Sequence, residues 1–505
     1  MPTIQSILSQ LLTVDVLIAL LVGVVGGIVI GALPGLSATM GVTLLIPITF
    51  GMEPIPALVM LTAVYTSAIY GGSITAVLIS TPGTPSSACT ALDGFELTKQ
   101  GKGMLGVGIS TIASMTGGTI SGIALLTIAP LLAKFALKCS ALEYFLLGIF
   151  GLCIIGGLTE GNEAKGLISG LFGLLIGFVG LDPVYGAPRF TFGIMHLESG
   201  VRLAPAMIGI YAISQVLISA EEMASGRSTI VNDPREAMKG SILPNRKQLK
   251  QITPAILKGS IIGTIVGIIP AAGGNVGAWM AYKTVKNGSK HPEEFGHGSI
   301  EGVAASESSN NGVTGGALVP LLTLGIPGSG VAAILMGGLM IHGLTPGAEL
   351  FTAKAHITYP IIIGFIVANI LMGIIGLCIA RQVAKVALIP MSILCPIIVA
   401  LATIGAYASY SSFYDVICMA VGGFVGYLMR KHDFMSAPMA LGLCLSSLIE
   451  ANWKRATVLS RGNMLNYFFH RPIAVALAII VIVTLSIPYI QKAVRKAKTA
   501  KNTAK

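Results

Sequence analysis

Residues 78–90 read LISTPGTPSSACT, and how this stretch is read decides the fold. A run of apolar and small residues meets Pro82-Gly83, then Thr84-Pro85, then small residues again. Proline removes a helix donor and crowds the preceding turn, and glycine lets the backbone swing sharply. Thr84 then reads as a helix N-cap, with Pro85 as the first helical residue behind it. The flanking segments are apolar enough for a bilayer, so the stretch is a helix interrupted inside a membrane. Such an interruption survives only where it is packed in protein or lines a cavity. It leaves unpaired N–H groups at the positive end of a helix dipole, which suits an anion.

Composition supports the membrane setting. Of 505 residues, 53% are hydrophobic and 10% charged, where soluble proteins carry about 25% charged residues. The class is an all-α polytopic membrane protein with room for many spans of about 20 residues each. Its 63 glycines and 25 prolines suit close helix packing and broken helices. The net charge of +11 lies mostly in loops and in the C-terminal KAVRKAKTAKNTAK, which the positive-inside rule assigns to the cytoplasm. No basic stripe with interleaved aromatics occurs, so nucleic acid is not an expected partner. The seven cysteines show no CxxC spacing and read as small hydrophobes, not as metal ligands. The first apolar run lacks a basic n-region, so no cleavable signal is expected.

Residues 16–33 read as the first span, 31–41 (GALPGLSATMG) as an interruption, and 57–80 as the run that ends at the Pro82-Gly83 break. Residues 91–102 are polar and are expected to reach water. Spans follow at 104–132, 144–158, 166–181 and 203–219. After a polar segment come 254–269, a break at Pro270, a charged loop at 283–297, and apolar runs at 302–324, 331–341, 357–380, 383–404, 416–429, 438–448 and 472–490. Basic pairs on both sides of 438–448 strain the positive-inside rule, so either that run does not cross or one loop is an exception. The resulting layout is a first repeat over 1–220, a linker over 221–253, a second repeat over 254–490 and a basic cytoplasmic tail over 491–505.

The repeat rests on aligned glycines and prolines. Gly27, Gly31, Pro34 and Gly41 match Gly263, Gly267, Pro270 and Gly277 without a gap. Gly71-Gly72 matches Gly315-Gly316, and LISTPGT (78–84) matches TLGIPGS (323–329) after one inserted residue. Thr84 and Ser329 thereby occupy one N-cap position. Paired interruptions in two halves point to a transporter site where the repeats meet, with inverted repeats favoured.

No arginine precedes Arg189, and none lies between Leu249 and Leu350. The bidentate guanidinium clamp for carboxylates is thus missing near the breaks. Hydroxyls, amides and backbone remain. The candidate substrate contacts are Ser37, Thr39, Thr81, Gly83, Thr84, Ser86, Ser87, Asn275, Asn310, Asn311, Gly328 and Ser329. Backbone carbonyls near Gly35, Pro82, Gly274 and Pro327 would suit Na+. The competing explanation is that Ser and Thr in membrane helices bond back to their own backbone or join neighbouring helices. Glu307, beside Ser308 and Asn310, is the acid to watch. Asp415, near a span start, reads as an interfacial cap. Gly101-x-Gly103-x-x-Gly106 follows no strand and reads as packing, and Gly328-Ser329-Gly330 lacks the partners of a nucleophile elbow.

Several long motifs carry a family resemblance: GALPGLSATMGVTLLIPITF (31–50), YGGSITAVLISTPGTPSSACTALDGFELTKQGKG (70–103), GLDPVYGAPRFTFG (180–193), FGHGSIEGVAASESSNNGVTGGALVPLLTLGIPGSGVAAILMGGLMIHGLTPG (295–347) and RPIAVALAI (471–479). At these motifs the chain resembles the large membrane subunit of the tripartite tricarboxylate transporters, the TctA family. The family's glycine and proline pattern falls on Gly27, Gly31, Pro34, Gly35 and Pro47. The chain departs from it at Pro270-Ala271 and in ASESSNN. The resemblance implies a multi-pass permease of the bacterial inner membrane, working with a small TctB-like transmembrane subunit and a TctC-like periplasmic binding protein. It implies uptake of tricarboxylates or dicarboxylates such as citrate, with some relatives taking aromatic or sugar-derived acids. An ion gradient of Na+ or H+ would drive uptake, since no Walker-type sequence is present. No other cofactor and no enzymatic activity are expected. An intramembrane enzyme and a passive channel are the rival classes.

Overall fold

The structure, a computed structural model, describes residues 3–33, 36–157, 163–182, 185–225, 240–270, 273–386, 389–484 and 486. Pro34, Gly35 and Ala271, much of the 221–253 segment and the basic tail lie outside these residues. Helices α1 (Ile4–Leu11), α2 (Val14–Ala32) and α3 (Ala38–Leu45) open the chain, and a 3-10 turn over Ile46–Gly51 extends α3. Helices α4 (Pro54–Ile79) and α5 (Ser87–Lys99) flank the Pro82-Gly83 break, and α6 (Gly103–Ala136) follows as one long helix. Helices α7 (Ala141–Gly157) and α8 (Glu163–Gly177) lead to a short antiparallel hairpin, β1 (Gly180–Leu181) with β2 (Pro188–Arg189). Next come α9 (Met195–Glu198), α10 (Leu203–Ile208), a π turn over Gly209–Ile213 and α11 (Ser214–Ala224). The second half holds α12 (Arg246–Ile268), α13 (Gly273–Gly288), α14 (Ile300–Leu324), α15 (Gly330–Ile341) and α16 (Ala355–Val386). It ends with α17 (Met391–Tyr410), α18 (Phe413–Lys431), α19 (Ser436–Leu459), α20 (Met464–Phe469) and an apolar helix over Pro472–Thr484. Among the described residues, eight helices are long and apolar enough to cross a membrane. The protein is an all-α polytopic membrane protein.

The chain divides into two compact units, each drawing on both halves of the sequence. One comprises Met1–Lys134 and Arg202–Leu428, the other Phe135–Val201 and Met429–Lys505.

The larger unit is built on two very close helix pairs, α2 on α4 and α12 on α14. Glycines every fourth residue make this approach possible. A Cβ at Gly23, Gly27 or Gly31 would fall 2.7, 2.9 or 2.1 Å from the carbonyl oxygens of Met60, Val64 and Ala68. A Cβ at Gly259, Gly263 or Gly267 would fall 2.6, 2.2 or 2.6 Å from those of Ala305, Ser309 and Val313. Small residues at this spacing let helices pack backbone to backbone where lipid offers no hydrophobic drive for association. As a result almost every residue of α4 and α14 is buried in protein, polar ones included.

In the smaller unit, α19 packs on α7 and α8. Glu450 on α19 receives both guanidinium nitrogens of Arg189 from the hairpin, and Lys454 bridges to Glu450 at 2.7 Å and to Asp182. Lys454 therefore sits on a helix with its charge met by two carboxylates, not in the loop that the short 438–448 run implied.

Three further expectations shift. Residues 91–102 do not simply reach water: α5 covers most of them, and Asp93 is fully buried. Its Oδ1 accepts the amides of Gly296, Gly298 and Ser299 at 2.7, 3.0 and 2.9 Å, and such charge-assisted bonds allow the burial. Helix α12 starts at Arg246, ahead of residue 254, because Asn245 and Gln248 form a reciprocal capping box. Helix α13 runs on to Gly288 and takes up the start of the loop expected from residue 283.

Candidate functional site

The two interruptions begin alike. Both α4 and α14 end on a residue in the left-handed region, Ser80 at φ 55° and Gly325 at φ 71°. In both, the next amide closes a bond six residues back, Thr81 N–H to Thr75 O at 3.3 Å and Ile326 N–H to Pro320 O at 3.2 Å. A left-handed residue followed by a long back-bond closes each helix and satisfies carbonyls that the break would otherwise orphan. Next comes the glycine of each Pro-Gly pair. A Cβ at Gly83 would lie 2.2 Å from Gly31 O and 2.8 Å from Gly72 Cα, and one at Gly328 would lie 2.8 Å from Gly267 O and from Ala317 Cα. Each break is thus clamped on the end of its partner helix.

These contacts correct the alignment by one residue. Gly72 takes the role of Ala317, and Gly71 that of Gly316: a Cβ at Gly71 would meet Ile28 O at 2.4 Å, and one at Gly316 would meet Thr264 O at 2.5 Å. In this register the inserted residue before the Pro-Gly pair is unnecessary.

Beyond the glycines the two breaks part company. Thr84 is not the N-cap of α5, and Pro85 is not its first residue. The chain makes an extra turn in which Ser87 N–H bonds Thr84 O at 3.0 Å and Ala88 N–H bonds Pro85 O at 3.2 Å. The cap position falls to Ser86, whose side chain makes no capping bond. Instead the hydroxyls of Thr84, Ser86 and Ser87 gather, Thr84 Oγ1 lying 3.2 Å from Ser86 Oγ and 2.8 Å from Ser87 Oγ. Ser329, by contrast, caps α15 directly, accepting from Ala332 N–H at 3.2 Å. The amides of Gly330 and Val331 ahead of it find no acceptor among the described residues.

The halves interlock at these points. Helix α5 packs on α13, and α15 packs on α3. A Cβ at Gly274, in the first turn of α13, would lie 2.8 Å from Asn310 Oδ1 and 3.2 Å from Ser86 Oγ. The first break, the start of α13 with half-buried Asn275, and Asn310 on α14 are therefore neighbours. Tyr65 OH on α4 lies 3.1 Å from Ser329 Oγ. Thr66 Oγ1 donates to Asn369 Oδ1 at 2.6 Å and lies 3.3 Å from Asn311 Oδ1, joining α4, α14 and α16.

Other candidates are engaged locally. Ser37 caps α3 through Met40 N–H at 3.3 Å, and Thr39 O accepts from Thr43 at 2.7 Å. Thr81 Oγ1 bonds Ile79 O at 3.3 Å. Within α14, Ser308, Thr314 and Thr323 bond back to their own helix. Of the carbonyl positions suggested for Na+, Gly35 lies outside the described residues, Pro82 is exposed, Gly274 is half-buried and Pro327 is buried. Asp415 is not a simple cap; it is buried and paired with Arg202 at 2.7 Å.

Glu307 is fully buried, accepting from Thr90 Oγ1 at 2.5 Å and Ser114 Oγ at 2.9 Å. Thr90, Ser114, Tyr65, Thr66 and Asn369 were not singled out from sequence. The signal was there in LTAVYTSAIYGGS, where polar side chains interrupt an otherwise apolar helix, but it does not say which neighbours they meet.

No solved structure matches this chain. An uncharacterized 52.8 kDa protein in the TAR-I ttuC' 3' region of Agrobacterium vitis is 36% identical over 459 residues, covering 90% of this chain and 89% of that protein. An uncharacterized protein in the TAR-II ttuC' 3' region of the same organism is 37% identical over 215 residues, covering 43% of this chain and 88% of that protein. The model of the tripartite tricarboxylate transporter TctA family matches residues 17–441. Interrupted helices that interlock in an all-α polytopic membrane protein accord with a transporter, and with that match the chain belongs to the TctA family of tripartite tricarboxylate transporters.

Proposed function

We propose that this chain is the large membrane subunit of a binding-protein-dependent secondary transporter, taking up tricarboxylates or dicarboxylates such as citrate with a coupling cation, Na+ or H+. The observation that carries this reading is the start of α15. Ser329, with Tyr65 from the other half at its hydroxyl, stands beside two amides that find no acceptor among the described residues. Backbone donors at the positive end of a helix hold a carboxylate without needing arginine. The hydroxyls of Thr84, Ser86 and Ser87, with Gly274, Asn275 and Asn310 against them, offer a second neutral surface to the same anion. The matched clamps at Gly83 and Gly328 support reading 1–220 and 254–490 as two repeats. Such a permease works in the bacterial inner membrane with a small transmembrane subunit and a periplasmic binding protein.

The test is uptake of radiolabelled organic acids by proteoliposomes holding the chain and both partners. Accumulation of citrate-class acids that needs all three proteins and an inward cation gradient is the expected result. Equilibration without any gradient would mean a channel, and a changed product would mean an enzyme. Preference for an aromatic or sugar-derived acid would move the substrate assignment.

A further inference from the structure

Four carboxylates are buried among the described residues: Asp93, Glu143, Glu307 and Asp415. Two are ion-paired and a third is held by three backbone amides on one oxygen. Asp93 holds three backbone amides, Glu143 pairs with Arg471 at 2.6 Å, and Asp415 pairs with Arg202 at 2.7 Å. Glu307 differs. It sits within α14 with no ion pair among the described residues; the hydroxyls of Thr90 from α5 and Ser114 from α6 donate to it, and Ser73 and Asn310 also lie within its reach. Neutral donors alone do not offset the cost of an ionised carboxylate in a low-dielectric interior.

A second observation points to what is missing. Asn310, one helical turn along from Glu307, is 1% exposed and stands within reach of that carboxylate, yet among the described residues neither its Oδ1 nor its Nδ2 makes a well-aligned hydrogen bond. A buried amide left unpaired costs about 1–3 kcal/mol, so it calls for a reason. Asn310 and Ser86 both lie against Gly274 at the start of α13. A proton neutralises Glu307 and lets it donate to one atom of Asn310, but it uses none of the hydroxyl lone pairs gathered there. A small hard cation would use the carboxylate, the amide oxygen and hydroxyl lone pairs, since a hydroxyl donating its proton still presents oxygen to a metal.

We infer that Glu307 is the carboxylate ligand of the coupling cation, that this cation is Na+, and that Thr90, Ser114 and Asn310 supply neutral oxygen ligands. The site rests on the cation-coupled reading above. It lies where α5, α6 and α14 meet, and through Asn310 it touches the start of α13, against which Ser86 also lies. An ion pulling on Asn310 therefore sets the geometry of the surface offered to the substrate, which links the two cargoes.

The probe is 22Na+ binding to the purified full-length chain, at fixed pH, for the wild type, Glu307→Gln and Thr90→Val. Wild-type binding should be saturable. Glu307→Gln should weaken it by about a hundredfold and Thr90→Val by about tenfold, the latter equal to about 1.4 kcal/mol. Undiminished affinity in a monodisperse Glu307→Gln protein overturns the site while leaving sodium coupling intact. Absence of Na+ binding by the wild type overturns the sodium assignment itself, and with it this site. If Glu307→Gln does not fold, the Thr90→Val and Ser114→Ala double variant decides: wild-type affinity there overturns the inference.

Discussion

The two interruptions share a beginning and differ in their ends. Each opens with a left-handed residue and a glycine clamped on a partner backbone. The first then spends an extra turn satisfying its own amides, and its hydroxyls face one another at Thr84, Ser86 and Ser87. The second passes straight into α15, with Ser329 as cap and two amides ahead of it that find no acceptor among the described residues. One chain segment has become a turn that gathers hydroxyls, and the other an open helix terminus. Aligned positions in the two halves need not do equal chemistry: Pro85 follows Thr84 in one case and Gly330 follows Ser329 in the other.

The sharpest way to break this comparison is at the clamps. Gly83→Ala drives a methyl to within 2.2 Å of Gly31 O, against 2.8 Å from Gly267 O for Gly328→Ala. Backbone atoms cannot step aside as side chains do, and overpacking of this kind costs about 1–3 kcal/mol or more. Gly83→Ala is expected to abolish uptake with the protein still in the membrane fraction, and Gly328→Ala to reduce it only in part. Equal uptake by the two variants would mean the clamps are not the difference. A smaller effect is expected at the caps. Ser329→Ala loses a cap worth about 1 kcal/mol, and should raise the apparent KM for substrate several-fold. Thr84→Ala, which removes no cap but one hydroxyl of the second surface, should raise KM less than Ser329→Ala does. Smallest of all, Tyr65→Phe removes one hydroxyl contact worth about 0.5–1.5 kcal/mol. It should lower the melting temperature in detergent slightly, and only where Ser329 is intact. A full-sized shift in the Tyr65→Phe, Ser329→Ala double variant would show that the two hydroxyls do not work together.

Much of the fold was legible because glycine and proline act locally. The breaks at Pro82 and Pro327 and the runs that became α2, α4, α14 and α15 follow from residues that change backbone freedom within a turn. Partners across space were not legible. Asp93 looked like a surface charge because nothing in its own segment reveals that residues 296–299 fold over it. The one-residue shift at Gly71 escaped notice because Gly-Gly aligns equally well in two registers until the helix it touches is known. Helix α12 is the opposite case: its start was written in Asn245 and Gln248, and the surrounding polar composition hid it. At the candidate site, the hydroxyl-rich stretches were visible, but Asn310 and Asn311 look alike in sequence. Only packing separates the one engaged with Thr66 from the one left without a well-aligned hydrogen bond.

The glycine stripe of α2 also bears on how the protein is made. Helix α2 keeps a wide lipid-compatible face, while α4 is surrounded by protein along its whole length. The earlier segment can rest in the bilayer alone; the later one, with its threonines, serines and tyrosines, is sheltered only once a neighbour presents a groove. Biogenesis thus has a built-in order, in which a greasy leader waits at the translocon to receive a more polar follower.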